Sequence, residues 1–283
     1  MKKICFLFVL LFGFILQAQN KMPYQIYTNK GKKTTYEKML KAALTSEVVL
    51  FGEYHDNSII HWLQLELTKD VASKKALVLG AEMIETDNQS VLNDYLSGKT
   101  NQKQMDSLAR LWNNYPTDYK PLVDFAKDNK IHFVATNVPR RYASMVFKQD
   151  LPFLETLPQQ DLQWIAPLPI EFDVNLPGYQ AMLKMMGGHA GDKMPKAQAI
   201  KDATMAHFIF ENLKQNHLFL HFNGTYHSDN FEGIYWYLKK KKEDLKIMTI
   251  ATISQADIAT FDIEQLQKAD FIIVVDEDVT KTY

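Results

Sequence analysis

Two stretches of the sequence repeat a Gly-x-Tyr-His motif whose residue types could bind a metal ion or another cofactor. The first, LFGEYHDN, contains Glu53 and His55, and the second, HFNGTYHSDN, contains His227. In both, an apolar run precedes the motif, and an aspartate and an asparagine follow it. Polar side chains at the end of a buried strand are costly without a partner. The glycine is expected to allow a sharp turn off the strand. One copy would be weak evidence for a site, and two at equivalent positions are stronger.

Other apolar runs also end in polar residues. VLGAEM ends near Glu82, and FVATNVPRR continues into Asn137 and Arg140. In a parallel sheet the loops after the strands gather at one edge, where ligands bind. The sequence therefore predicts that one edge of the sheet carries Glu53, His55, Glu82, Asn137, Arg140 and His227.

These residue types suit metal-dependent chemistry. Carboxylate and neutral imidazole are ligands that a divalent ion such as zinc or manganese accepts, and three protein ligands would leave a position for water. His55, His227 and Glu53 are the predicted metal ligands. Glu53 or Glu82 could instead act as a general base, and Arg140 could hold an anion or stabilise a developing oxyanion. The predicted catalytic residues are thus Glu53, Glu82 and Arg140.

Structural roles for the same residues compete with this interpretation. Glu53 could cap a helix or form a buried ion pair with Arg140, and Glu82 could be paired in a similar way. His61 is expected to pack or to support a ligand, and His221 is expected in the core with its ring nitrogens satisfied.

The elements that must position these residues follow a repeating pattern. Near-continuous apolar runs alternate with helical patterns, which favours an α/β fold with a central, largely parallel sheet covered by helices on both faces. The last run is a candidate for an antiparallel edge strand. Asp56, Asn57 or Ser58 can cap the helix after the first motif. The six predicted strands occupy residues 47–53, 76–83, 131–137, 217–224, 246–253 and 270–278.

Residues 150–195 differ in composition from the rest of the chain. They contain six of the ten prolines and four of the eleven glycines. Such a stretch predicts a helical, lid-like insertion over the sheet, and not a separate domain. Residues 20–283 are therefore expected to form a single domain.

The amino terminus has the layout of a secretory signal. Lys2 and Lys3 precede an apolar run from Ile4 to Leu16 that is too short to span a bilayer. We expect residues 1–19 to be removed, with cleavage before or after Gln19, and the protein to reach a periplasm or cell envelope. Cys5, the only cysteine, lies too early in the signal to be lipidated and leaves no thiol in the mature chain.

The charge balance excludes one class of partner. The chain has 32 basic and 33 acidic side chains, and removing Lys2 and Lys3 with the signal leaves 30 and 33, a net charge of −3. A nucleic-acid partner would require a clustered basic surface, so none is expected. The one basic run, residues 239–242, is interpreted as a solvated helix end.

The motifs resemble a known family. The chain is similar to the ChaN-like haem-binding uptake proteins of the Tiki/EreA-like superfamily. The similarity covers roughly residues 47–237 and includes VVLFGEYHDNSIIHWLQLEL, LVLGAEMIETDNQSVLNDYLSG, YKPLVDFAKDNKIHFVATNVPR, KAQAIKDATMAHF and HFNGTYHSDNFEGIYWYL.

This resemblance implies a role in haem or iron uptake. Members of the family hold haem through a tyrosine, and a phenolate is a sound ligand for ferric iron. Tyr119, or Tyr179 together with His189 in the lid-like insertion, is the expected haem-binding set. An outer-membrane TonB-dependent haem receptor is the expected partner, and a homodimer that pairs two haem faces is one arrangement.

The leading hypothesis is therefore an exported haem-binding protein with haem held between the sheet edge and residues 178–195. The superfamily also contains Tiki-type metalloproteases with two Gly-x-x-His motifs and hydrolytic esterases. The alternative is accordingly a metal-dependent hydrolase that uses the paired Gly-x-Tyr-His motifs. An inactive scaffold that binds another small anion is a third option.

Overall fold

A computed structural model describes residues 21–185 and 191–283. The expected signal at residues 1–19 and the predicted haem ligand His189 lie outside the described residues. The export prediction is therefore not tested by the fold.

A central sheet of eight strands runs through the described part of the chain, in the order β2-β1-β8-β7-β3-β6-β4-β5. Its strands are β1 Tyr24–Thr28, β2 Lys33–Thr34, β3 Val48–Glu53, β4 Ala76–Glu85, β5 His132–Asn137, β6 His217–Gly224, β7 Ile247–Gln255 and β8 Phe271–Asp276. The six predicted strands correspond to β3–β8.

Strand direction confirms a largely parallel sheet. The pairs β3–β6, β3–β7, β4–β5, β4–β6 and β7–β8 are all parallel. The interpretation of the last strand as an antiparallel edge strand is wrong. β8 is parallel to β7 and lies inside the sheet, because β1 pairs with its other side in the antiparallel direction. β1 and β2 form the short ribbon that ends the sheet.

Helices cover both faces of the sheet, as the apolar strands require. They are α1 Tyr36–Thr45, α2 Ser58–Ala72, α3 Gln89–Leu96, α4 Gln102–Leu108, α5 Lys120–Asp128, α6 Arg140–Gln149, α7 Pro177–Met185, α8 Lys193–Glu211 and α9 Ile234–Lys241. Helices α1–α5 contribute to the core on one face, and α6, α8 and α9 to the core on the other. No helix among the described residues combines the length and apolar character needed to cross a bilayer.

The helix after the first motif begins where its sequence predicts. The Asn57 side chain accepts a hydrogen bond from the backbone N–H of Ile60 and so satisfies one free donor of the first turn of α2. This cap, two residues after His55 in the loop that follows β3, fixes the point at which α2 begins.

The insertion at residues 150–195 has two parts in the structure. Its first part forms two short 3₁₀ segments, Leu151–Thr156 and Gln159–Trp164, and packs Leu154 and Ile165 into the core beside α6 and α8. Its second part contains α7, which borders the carboxyl edge of the sheet through Met182. Only this second part is placed where a lid would be needed.

Candidate functional site

The carboxyl ends of β3, β4, β5 and β6 enclose a cleft of about 440 Å³. Of the six residues predicted at this edge, five line the cleft directly: His55, Glu82, Asn137, Arg140 and His227. Apolar lining comes from Trp112, Val138 and Met182, and further polar lining from Glu85, Gln198, Lys201, Gly224 and Tyr226. The structure thus brings the two Gly-x-Tyr-His motifs together at one site.

Glu53 lies beneath the cleft and holds His55 in place. Its side chain is fully buried, and its Oε1 accepts hydrogen bonds from the Tyr119 hydroxyl at 2.6 Å and from His55 Nδ1 at 2.8 Å. Gln64 donates to the other carboxylate oxygen. Arg140 is not a partner, so the alternative of a Glu53–Arg140 ion pair does not occur. Because Nδ1 of His55 is bound to Glu53, the other ring nitrogen, Nε2, lies next to Gly224.

Burial and pairing act in opposite directions on this pair. Burial raises the pKa of Glu53. The hydrogen bond from His55 and the charge of the nearby His61 lower it by more than burial raises it, so the net shift of the pKa is downward. Burial lowers the pKa of His55, and the bond to Glu53 more than offsets this, so the net shift is upward. The pair therefore favours an ionised Glu53 beside a protonated His55.

A second set of side chains supports the first motif and was only partly foreseen. His61 Nδ1 bonds Gln64 Oε1 at 3.1 Å, and His61 Nε2 lies 3.0 Å from the His55 carbonyl oxygen. Asn114 Nδ2 donates to the same carbonyl at 2.8 Å. His61 therefore positions the His55 loop and does not face the cleft. Asn114 carried no sequence signal because it lies in an irregular segment far from both motifs.

The second motif is held by two carboxylates. His227 Nε2 lies 3.0 Å from Glu82 Oε1, and His227 Nδ1 lies 2.5 Å from Asp202 Oδ1. Glu82 Oε2 also accepts the backbone N–H of Gly224 at 2.7 Å. All three side chains are buried. Asp202 was missed in the sequence because it lies within the long helical pattern of α8, where an aspartate is usually solvated.

The two carboxylates decide the charge of His227. Burial lowers the pKa of this imidazole, but Glu82 and Asp202 raise it more, to about 9. Burial raises the pKa of Glu82, whereas the cation of His227 lowers it well below its ordinary value. For Asp202 burial dominates and the pKa is raised. At neutral pH the site therefore contains a buried imidazolium next to an ionised Glu82.

Gly52 and Gly224, the glycines of the two motifs, allow a neighbouring segment to approach the backbone closely. The sharp turn off the strand that the sequence suggested is not their role. Neither has a positive φ, and Gly224 has φ −55°. A Cβ at Gly224 would lie 2.8 Å from His55 Nε2, and one at Gly52 would lie 2.8 Å from the Ile250 carbonyl oxygen. Each glycine is needed because another chain segment occupies the space of a side chain.

Glu82 lies at an irregularity of β4. Ala81 pairs with Ala135 and Glu85 pairs with Asn137, so four steps along β4 match two along β5. Such bulges interrupt the regular alternation of side chains and re-aim them. This allows Glu82 to bond both Gly224 and His227 at the edge of the sheet.

Three tyrosines surround the site, and only one is free. Tyr119 is 2% exposed and donates to Glu53, and Tyr179 is 4% exposed with its hydroxyl 3.3 Å from Asp202 Oδ2. Neither lines the cleft. Tyr226, the middle residue of the second motif, lines the cleft and is 69% exposed. Tyr226 and Tyr54 occupy the same position in the two motifs. The sequence therefore gave no means of telling which of the two phenols is exposed.

Two cations and an unsatisfied acceptor complete the cleft. Arg140 is exposed at the start of α6, and Lys201 lies half-buried on α8. Within residues 21–185 and 191–283, neither side chain has a carboxylate partner. Asn137 Oδ1 is buried without a hydrogen-bond donor. The cleft can therefore accept a ligand that combines an apolar body with anionic groups.

The expected divalent-metal site finds no support in the geometry. In the described part of the chain no group of three or more His, Cys, Asp or Glu side chains is arranged to hold a metal ion. Both ring nitrogens of His227 are within bonding distance of carboxylates, and His55 Nδ1 is bound to Glu53. The two histidines thus act as partners of carboxylates.

Solved structures share this fold. ChaN of Campylobacter jejuni, described as binding haem cofacially, matches with a TM-score of 0.66 and 17% identity, over 89% of this chain and 96% of that chain. A succinoglycan biosynthesis protein matches with a TM-score of 0.50 and 13% identity, over 90% and 94% of the two chains. A Bacillus cereus protein also matches at 0.50, with 11% identity over 89% and 94%. At these identities the likeness shows the fold alone. None of the curated proteins matches this chain.

A family model provides the assignment. The model for haem-binding uptake proteins of the Tiki superfamily, ChaN, matches residues 39–238, which include both Gly-x-Tyr-His motifs and every cleft-lining residue named above. This confirms the resemblance seen in the motifs. The chain belongs to the ChaN family of haem-binding uptake proteins in the Tiki superfamily.

Proposed function

We propose that this protein is exported and binds haem in the cleft at the carboxyl edge of its sheet, as part of haem or iron uptake. The observation that carries the proposal is the exposed phenol of Tyr226 in a cleft that belongs to a haem-binding family. Ferric haem is held by tyrosine in several proteins, because a phenolate is a strong ligand for ferric iron.

Tyr226 is better placed for this role than the tyrosines predicted from sequence. To reach iron, Tyr119 would have to break its bond to Glu53, and burial together with that carboxylate raises its pKa well above the ordinary value. Burial and Asp202 do the same for Tyr179. The Tyr226 hydroxyl needs no such rearrangement. Ligation through Tyr179 or His189 stays a prediction. The α7 residues Ala181 and Met182 border one neighbouring pocket together with Tyr226.

The rest of the cleft suits the other parts of haem. Trp112, Val138 and Met182 offer apolar contact to a flat macrocycle. Arg140 and Lys201 offer cations for its two propionates. The Asn137 acceptor could receive a hydrogen bond from a bound water or from the ligand. These residues would bind and orient haem. The imidazolium of His227 balances the negative charge of the adjacent carboxylates.

Export and assembly complete the proposal. The basic and apolar amino-terminal segment supports an envelope location, where an outer-membrane TonB-dependent receptor would supply haem. The cleft is partly open to solvent, so it would cover one face of the macrocycle. The other face would be covered by the haem of a second copy in a homodimer, as the cofacial binding described for the Campylobacter jejuni protein suggests.

A haemin titration of matched tyrosine variants tests this proposal. The wild-type protein is expected to give a saturable shift of the Soret band. Tyr226→Phe should weaken haemin binding at least tenfold and change the spectrum, because the phenolate is lost. Tyr54→Phe alters the equivalent residue of the first motif, which does not line the cleft, and should bind within about twofold of wild type.

Two outcomes would contradict it. The absence of any saturable shift in the wild-type protein would overturn haem binding itself. Full retention of binding by Tyr226→Phe, together with its loss in Tyr179→Phe or His189→Ala, would move the ligand to the α7 segment.

A further inference from the structure

A depression of about 630 Å³ lies at the opposite edge of the sheet, where the parallel strands begin. It is bordered by residues just before β3, β4, β6 and β7. Its charged lining consists of Glu47, Lys75, Lys214, Lys242 and Lys246. Four lysines against one glutamate give this surface a net charge of +3, whereas the whole chain carries −1. The positive charge is therefore local.

Not all of these lysines are needed by the fold. Lys75 Nζ donates to the carbonyl oxygens of Leu44 at 3.0 Å and Ser46 at 2.7 Å, so it completes the backbone hydrogen bonding at the end of α1. Lys242 Nζ lies 3.2 Å from Glu47 Oε1. Lys214 and Lys246 are exposed, and within the described ranges their ammonium groups have no carboxylate or hydrogen-bond partner. Stabilisation of the fold therefore does not account for these two charges.

The last turn of α9 extends the same charged surface. The ammonium of Lys240 lies 4.6 Å from the centre of the Trp236 ring and is also paired with the exposed carboxylate of Glu171. The ammonium of Lys241 lies 5.5 Å from the centre of the Phe210 ring. Lys242, directly after the helix, joins this turn to the depression. Lys240 and Lys241 are exposed, so their ammonium groups remain open to solvent, and an exposed ion pair such as Lys240–Glu171 is weak enough to be exchanged for another anion. Clusters of four to eight basic residues on a surface helix attract anionic lipid headgroups.

We propose that this edge, made of Lys214, Lys246 and the lysines at 240–242, docks on an anionic phospholipid bilayer. Ammonium groups on flexible stems suit a fluid array of phosphodiester charges, which needs no fixed bidentate geometry. Because the haem cleft lies at the other end of the strands, docking here leaves that cleft facing away from the lipid. The proposal does not depend on haem binding, since it uses none of the cleft residues.

Vesicle sedimentation of the full chain tests it. The protein should sediment with vesicles of phosphatidylglycerol mixed with phosphatidylcholine, and not with phosphatidylcholine alone. Lys214→Glu/Lys246→Glu should weaken binding to the mixed vesicles by at least about 25-fold, since each basic residue near such a surface is worth about fivefold. Concentrated salt should release the wild-type protein. An unchanged haemin titration would show that the variant is folded.

The matched control reverses two lysines at the cleft end. Lys184 and Lys193 are exposed, so Lys184→Glu/Lys193→Glu makes the same change in net charge, and its vesicle binding should stay within about twofold of wild type. Equal binding to neutral vesicles would overturn the proposal, because the apolar segment at residues 1–19 would then be responsible. An equal loss of vesicle binding in the two double variants would also overturn it. The same holds if the wild-type protein binds no vesicles at all. Displacement by inorganic phosphate at constant ionic strength would instead indicate a small-anion site and also overturn docking.

Discussion

At the scale of single residues, the site separates groups that are committed to the fold from groups that are free for a ligand. Glu53 bonds the histidine of the first motif, and Glu82 bonds the histidine of the second. Asp202 bonds the other ring nitrogen of that second histidine. What remains free is Tyr226 with the cations of Arg140 and Lys201. The acidic and imidazole groups that first suggested metal chemistry are thus bonded to one another and hold the two motifs in place.

The buried cation of His227 makes stability depend on pH. Its pKa is about 9 in the folded protein and about 6.5 when unfolded, so its contribution is fully present below pH 6.5 and is lost as pH rises through 9. The free energy of unfolding should fall by roughly 3 kcal/mol between these values. Because the pKa of His55 is also raised, that residue adds to the same trend. Urea denaturation at several pH values measures the fall.

The variant His227→Gln isolates this residue. It leaves Glu82 and Asp202 buried without their cation, so it should be less stable at pH 6.5 by about 3–5 kcal/mol. Its decline in stability towards pH 9 should be smaller than that of wild type. A wild-type profile that is flat between pH 6.5 and 9 would show that His227 is neutral in the folded protein.

At the scale of elements, the two strand-to-helix junctions look alike in sequence but are packed differently. The space beside Gly52 is filled by backbone on both sides, from Ile250 and Thr225, whereas the space beside Gly224 is filled by the ring of His55. A backbone contact cannot yield, and a side chain can rotate. The same motif glycine therefore has a structural role in one junction and a site-forming role in the other.

Alanine substitutions should separate these roles. Gly52→Ala places a Cβ 2.9 Å from Thr225 Cα and should destabilise the protein by about 1–3 kcal/mol through overpacking. Gly224→Ala should cost less stability, because His55 can move, but should weaken haemin binding by displacing that ring from the cleft. Urea midpoints and haemin titrations compare the two variants. Equal losses of stability and affinity in both would show that the junctions are equivalent.

The sequence predicted those elements whose signal is local. Six apolar runs correspond to β3–β8, and Asn57 caps α2, because strand burial and capping depend on nearby residues. β1 and β2 were missed because a short, half-buried ribbon has no such run. Strand direction was also misjudged for β8, because the antiparallel partner that covers it comes from the other end of the chain.

The site was predicted less completely than the fold. Five cleft residues could be assigned to one edge because each lies near the end of an apolar run: His55, Glu82, Asn137, Arg140 and His227. Asp202 and Tyr226 could not be selected: the first lies inside a helix, and the second matches Tyr54 in its motif. Which of two identical residue types is buried depends on packing between elements far apart in sequence, and one chain alone does not reveal it.

At the scale of the whole molecule, the two ends of the strands carry different surfaces. One end holds the partly open cleft, and the other holds the lysine-lined depression. A cleft that covers one face of a flat ligand leaves the other face in water, which favours association of two loaded copies.

Haem should therefore change the oligomeric state. We expect the haem-free protein to be monomeric and the haem-loaded protein to form a dimer, as judged by light scattering during size-exclusion chromatography. Tyr226→Phe should remain monomeric at haemin concentrations that convert wild type, because dimerisation follows haem binding. A haem-loaded monomer would show that one chain covers both faces, and α7 would then be the covering element.

The position of β6 has a consequence for when the protein becomes able to bind. β3 and β4 follow one another in the chain but are not neighbours in the sheet, because β6 is inserted between them. The contacts that join His55 and Glu82 to Gly224 are therefore among the long-range contacts that form slowly in folding. A nascent chain that ends before β6 has no cleft. Ligand capture is therefore restricted to molecules that have finished folding.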